Sequence, residues 1–188
     1  MTNKVVTVTS GHSNVGKIDS GAVTNVDGKL VKEADLAVKL RNAILHYLQQ
    51  DKEITTRCDG YGQTNLELKE AIKLIKGSHA AVEVHTNAST NKTANGIECI
   101  ALPKDKVLAQ KLSAAVAKVT GSRLRGDKGY IGQEDSARGK LGYVSNGGCI
   151  LEVFFISNDS ELEVFEEKYW LIAKEVAQVL IDYVKSKK

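Results

Sequence analysis

Along this chain, short β-branched runs alternate with stretches in which apolar residues recur every three or four positions. The first run, VVTVT over residues 5–9, meets Ser10-Gly11 at once and reads as a buried strand ending in a turn. Asp27-Gly28 marks another turn. Ala37, Leu40, Ile44 and Leu48 then form one stripe, which predicts a helix over residues 31–50. A short strand with its exit loop is predicted over 53–59. Thr64-x-x-Glu67, just ahead of Leu68, Ile72 and Ile75, has the form of a capping box opening a second helix that Gly77 stops. Residues 80–85 follow as a strand, with Ala81, Glu83 and His85 on one face and Val82 and Val84 on the other.

After a polar loop the pattern predicts a strand over 96–102 and a helix over 104–119 that turns Leu108, Leu112, Ala115 and Val119 inward. Residues 122–148 hold seven of the sixteen glycines and little periodicity. They read as a long loop with a short strand or turn near Gly129, and long loops in compact domains tend to border sites. CILEVFFI, residues 149–156, is a strand that is apolar except for Glu152. Ser160-x-x-Glu163 reads as a second capping box. The helix behind it turns Leu162, Phe165, Tyr169, Ile172, Val176 and Leu180 inward. Strands alternating with amphipathic helices specify an α/β layer fold, a sheet with helices on both faces. The 188 residues suit a single domain over the whole chain.

Composition narrows the classes. With 42% hydrophobic and 26% charged residues the chain is ordinary and globular, and no run approaches a membrane span. The net charge of +3 is mild, and aromatic residues are only 5% of the chain, so nucleic acid is not an expected partner. The closing Lys185-Ser186-Lys187-Lys188 is a solvated helix end, with weak contact to an anionic wall or outer membrane as its alternative use. Cys58, Cys99 and Cys149 are widely spaced and read as reduced thiols. The first residues show no export signal, so the expected location is the cytoplasm of the producing cell until release.

Candidate chemistry begins at the first strand's end. Gly11 to Lys17 spells G-x-x-x-x-G-K, yet the next residue is Ile18 where a phosphate loop needs Ser or Thr, and turn residues follow where a helix must start. That leaves His12 as a candidate metal ligand at a strand end. His85 also ends a strand. Glu33 lies on the inward face of a helix's first turn, where either the helix N-terminus or a metal accounts for it. Glu152, a carboxylate in an apolar strand, needs a cationic partner or a raised pKa. Two histidines and one glutamate form a zinc set with an open position. Zinc so held lowers the pKa of bound water, and a further glutamate can shuttle its proton. Taken singly, each histidine is also readable as a satisfied core or surface residue.

GHSNVGKIDSGAV, Glu33 opening a helix, AAVEVHTNAS, GIECIAL and ILEVFFISNDSEL resemble, in order and spacing, the zinc-dependent N-acetylmuramoyl-L-alanine amidases of the amidase-3 type over nearly the whole chain. The family's G-H and D-x-G-A patterns are seen as Gly11-His12 and Asp19-Ser20-Gly21-Ala22, and its H-x-N-A pattern as His85-Thr86-Asn87-Ala88. The resemblance implies a twisted sheet of about six strands, one zinc ion held by His12, Glu33 and His85, and Glu152 as catalytic glutamate, with Phe155 and Asn158 also matching. It implies peptidoglycan as substrate, cut between N-acetylmuramic acid and the L-alanine of the stem peptide. A phage endolysin catalytic domain with no separate wall-binding domain is the nearest type. Thr56-Arg57-Cys58-Asp59 resembles a structural motif of the family. Glu83, where the family is commonly small, either orients His85 or is a solvated charge at a sheet edge. Glu98 is a rival ligand placed too far along its strand. Asn87, Arg125 and Lys128 are candidate substrate contacts, the latter two as grips for peptide carboxylates. A zinc peptidase cutting within the stem peptide and a non-catalytic wall-binding module stay as alternatives.

Overall fold

The computed structural model describes residues 3–187. Its main sheet has six strands: β1 (Lys4–Ser10), β4 (Ile54–Cys58), β5 (Ala80–Asn87), β6 (Glu98–Ala101), β7 (Tyr130–Gly132) and β8 (Cys149–Phe155). They lie in the order β4-β1-β5-β8-β6-β7. The pairs β1/β4, β1/β5, β5/β8 and β6/β7 are parallel, and β6/β8 is antiparallel, so the sheet is mixed. After β1 the chain first adds β4 on one side and then returns to add β5 on the other. Such a switch of direction opens a crevice at the carboxyl ends of the two strands, where sheets of this class bind ligands.

Among the described residues five helices cover the sheet unequally: α1 (Glu33–Leu48), α2 (Leu68–Ile75), α3 (Lys106–Thr120), α4 (Gly142–Ser145) and α5 (Asp159–Ser186). Val6, Val8, Val82, Val84, Leu151 and Val153 alternate onto one face and build the large core with α1, α3 and α5. On the other face Ala81, Ile100 and Ile150 meet only α2 and α4, through Ala71, Ile75, Tyr143 and Val144. This thinner layer leaves the carboxyl end of the sheet uncovered. Among the described residues no helix is long and apolar enough to cross a membrane.

Three local expectations are corrected. Residues 31 and 32 belong to a hairpin, β2 (Val23–Val26) with β3 (Lys29–Lys32), so the first helix begins at Glu33. Asp27-Gly28 is its turn, with both residues at positive φ. The first capping box does not form. Thr64 Oγ1 instead donates to the Tyr61 carbonyl at 2.8 Å, and α2 starts behind Glu67 without a side-chain cap. The second is displaced upstream. Asn158 Oδ1 accepts from the Glu161 amide at 3.2 Å, so the cap of α5 is Asn158. Glu161 in turn accepts from the amides of Gly96 and Phe155, at 2.9 Å each, and ties the helix start to β8.

Candidate active site

His12 lies just past β1, at φ 67°, a left-handed conformation that a residue with a Cβ adopts only when its surroundings impose it. The imposing contacts are visible. Ser13 and Asp19 exchange backbone hydrogen bonds at 3.1 and 2.8 Å, and Asn65 Nδ2 donates to the carbonyls of Gly11 and His12. Nδ1 of His12 donates to Asp19 Oδ2 at 3.0 Å, which fixes the ring and turns Nε2 inward. Nε2 is 3.0 Å from Glu33 Oε2 but not aligned with it as a hydrogen bond, and this buried nitrogen has no partner.

Glu33 is fully buried at the first position of α1. Oε2 accepts from the Ala22 amide at 2.9 Å and Oε1 from the Thr86 amide at 3.0 Å. Burial alone would raise its carboxyl pKa, yet the contacts with His12 and His85 hold it far below the usual range. His85, near the end of β5, is bracketed by carboxylates: Nδ1 lies 3.0 Å from Glu33 Oε1 and Nε2 3.1 Å from Glu83 Oε2. Burial would lower its pKa, but the two carboxylates outweigh that and set it well above the ordinary histidine value. Glu83 is only 3% exposed on a central strand, so the solvated-edge reading does not hold; it is bonded to His85.

One donor atom each from His12, Glu33 and His85 lies within 4.8 Å of the others. Two imidazole nitrogens and a carboxylate, one nitrogen buried without a partner, fit a zinc ion with its remaining position open. Close approach demands glycine at two places: a Cβ on Gly11 would sit 2.2 Å from the His85 ring, and one on Gly21 2.6 Å from Glu33.

Glu152 is the direct register partner of His85 across β5/β8, so both side chains leave the same face. It is 3% exposed, and its Oε2 has no hydrogen-bond partner. Burial raises its pKa to about 7, with Glu33 and Glu98 adding to the rise and His85 and Arg138 opposing it. Glu98 faces Glu152 across β6/β8 and is held by Arg125 and by Asn87 Nδ2, the latter at 3.1 Å. Arg125 also lies over the Phe155 ring, 5.0 Å from its centroid. Arg125 and Asn87 therefore frame Glu98, and Lys128 sits beside Asp127. Glu98 stands apart from the three-residue cluster.

A cavity of about 600 Å³ opens on the thin face beside the cluster. Its lining includes His12, Glu83 and His85 from the cluster's side together with Lys17, Arg138 and Tyr143. Neither Asn87, Arg125 nor Lys128 lines it. The sequence reading did not single out Asp19, Asn65 or Arg138. Asp19 was within reach, since it opens the D-x-G-A stretch, whereas Asn65 and Arg138 stand in irregular segments without local pattern.

The sequence matches the family model for N-acetylmuramoyl-L-alanine amidase over residues 6–182. No curated protein sequence matches the chain. Among solved structures, a putative N-acetylmuramoyl-L-alanine amidase from Neisseria meningitidis is 42% identical, with a TM-score of 0.85 over 95% of this chain and 94% of that one. The catalytic domain of CwlV, an N-acetylmuramoyl-L-alanine amidase from Bacillus (Paenibacillus) polymyxa var. colistinus, shares the fold at 24% identity and TM-score 0.81, over 98% of this chain and 99% of that one. An N-acetylmuramoyl-L-alanine amidase from Clostridium difficile 630 does so at 22% and 0.83, over the whole of both chains.

Proposed function

The chain belongs to the N-acetylmuramoyl-L-alanine amidase family, and from this premise we propose that it is a zinc-dependent peptidoglycan hydrolase with Glu152 as its general base. Its activity is of the peptidoglycan amidase type: the bond cut joins the lactyl group of N-acetylmuramic acid to the L-alanine of the stem peptide. The observation that carries the mechanism is a pair of orphaned buried atoms, His12 Nε2 in the ligand cluster and Glu152 Oε2 on the strand beside His85. Buried polar atoms without partners are costly, and they persist where a ligand or a reaction uses them.

His12, Glu33 and His85 are the residues that would hold the metal. Zinc bound there acidifies water and polarises the amide carbonyl. The chain's own groups do the rest. Asp19 and Glu83 each bind the outward nitrogen of a ligating imidazole and so fix its orientation. Glu152 takes the proton of the attacking water at Oε2 and passes it to the alanine nitrogen as the C–N bond breaks. A pKa near 7 suits both halves of that transfer. The products are a muramyl lactyl carboxylate and a peptide with a free amino terminus.

The test is mass spectrometry of purified peptidoglycan digested with zinc-loaded protein beside a chelated control. Stem peptides beginning with L-alanine, released only when zinc is present, are the expected result. Peptides cut at an internal bond would assign a zinc peptidase instead, and binding without release a wall-binding module. The setting proposed for this activity is the lysis of a producing cell by a phage endolysin leaving its cytoplasm. In that setting zinc-loaded protein clears a suspension of permeabilised cells.

A further inference from the structure

Lys17, Lys69 and Arg138 line the cavity. Lys69 Nζ lies 3.6 Å from Glu67 Oε2, and Lys17 donates its backbone amide to Glu67 Oε1 at 3.1 Å. Arg138 has no ion pair or hydrogen bond among the described residues, and its charge reaches as far as Glu152. The loop that carries it is built firmly. Gly139 donates its amide to the Ser136 carbonyl at 3.0 Å, and Ser136 Oγ donates to the Gly139 carbonyl at 3.1 Å. Beneath that turn Gln133, buried, accepts from the Leu141 amide at 3.1 Å and from Ser145 Oγ at 3.0 Å. Arg138 is exposed at the cavity wall, and its guanidinium, which no other described side chain holds, is free to receive a planar anion in two parallel hydrogen bonds.

The substrate chemistry says which half supplies the anion. An N-acetylated glycan whose lactyl carboxyl is tied up in the amide carries no charge, whereas a peptide carries its free carboxylates. We propose that Arg138 binds a carboxylate of the leaving peptide, close to its L-alanine, and so makes the enzyme select stem peptides that bear a free acid there. The assignment rests on the amidase reading for which side of the bond is which. It differs from a general electrostatic role in being selective for one group of the substrate.

The test compares two synthetic muramoyl peptides, identical except for a carboxylate or a carboxamide on the residue after L-alanine. The wild type prefers the acid by about 10- to 100-fold in kcat/KM, the size expected of a charge-assisted contact. In Arg138→Ala the preference collapses to about twofold or less, and Arg138→Lys, which keeps charge but loses the fork, falls between. A wild type without preference, or an Arg138→Ala variant that slows both substrates and keeps the preference, overturns the proposal. Titration of the two free L-alanyl peptides into wild type and Arg138→Ala gives a second answer that needs no hydrolysis. Binding of the acid peptide that depends on Arg138 supports the site. Arg138-dependent binding of glycerol phosphate without that of the acid peptide overturns it in favour of a phosphate site. Should the wild type hydrolyse neither muramoyl peptide, the amidase reading falls, and the titration still decides Arg138.

Discussion

Glu152 and His85 face each other across two strands, yet their surroundings drive them in opposite directions: burial pushes the acid toward neutrality, while the carboxylates of Glu33 and Glu83 overcome burial and push the imidazole toward charge. Each direction has a measurable outcome. Glu152→Gln keeps the shape of the side chain and removes the base, so kcat should fall by about 10²- to 10⁴-fold while metal analysis still finds one zinc per chain. Because the proposed base, Glu152, must be ionised, kcat/KM should drop as pH falls, with the acid limb at or below pH 7. A limb well above that would assign the base to another group. His85, protonated between Glu33 and Glu83 when no metal is bound, must lose a proton to become a ligand. Zinc binding should therefore release protons and weaken with acidity, which calorimetry in buffers of different ionisation enthalpy would read directly. Truncating Glu83 to Ala should weaken zinc binding by about 10- to 100-fold, since nothing then fixes the outward nitrogen. His12 and His85 stood out at strand ends, Glu33 on the inward face of a helix's first turn and Glu152 in an apolar run, but it was the family resemblance, not spacing, that joined the four into one proposed site. Arg138 breaks no pattern; only the folded cavity shows that it is unmatched.

At the scale of elements, the turn that carries His12 is anchored from beneath. Arg41 projects from α1 into the core, fully buried, where Nη1 donates to Asp59 Oδ1 at 2.9 Å and to Ser10 Oγ at 3.1 Å. Nη2 reaches the Thr64 carbonyl at 2.9 Å. One side chain thus joins α1, β1, the end of β4 and the loop that brings Asn65 to His12. Removing one partner of a buried pair strands the other charge, so Arg41→Met should cost about 3–5 kcal/mol, measurable by urea denaturation. The sequence held a sign of this, since Arg41 stands on the apolar stripe between Ala37 and Ile44. The hairpin was illegible for a different reason: VTNV and KLVK are short and mostly exposed, so they lack the buried alternation that marks a strand. The capping boxes misled because such a box is a local pattern with local rivals: the Thr64 hydroxyl is taken up by a turn with Tyr61, and Asn158 caps the last helix from two residues upstream of Ser160. Gly11→Ala should displace the His85 ring and abolish zinc binding with little loss of fold, a separation that circular dichroism beside metal analysis would expose.

Across the whole molecule, periodicity gave the α/β class, while the order of the strands came only with the structure. That order has a kinetic consequence. β1, β5 and β8 stand side by side in the sheet although their sequences begin at residues 4, 80 and 149. Pairing such distant segments closes long loops before any contact rewards them, so this sheet should assemble slowly. The proposed ligands, residues 12, 33 and 85, cannot meet until β1 and β5 have paired. Zinc then has nothing to bind in the early chain and cannot nucleate it, unlike the ion of a zinc finger, whose ligands are neighbours. It should act as a latch fastened after closure: stopped-flow experiments would find unfolding slowed by the metal and refolding unchanged.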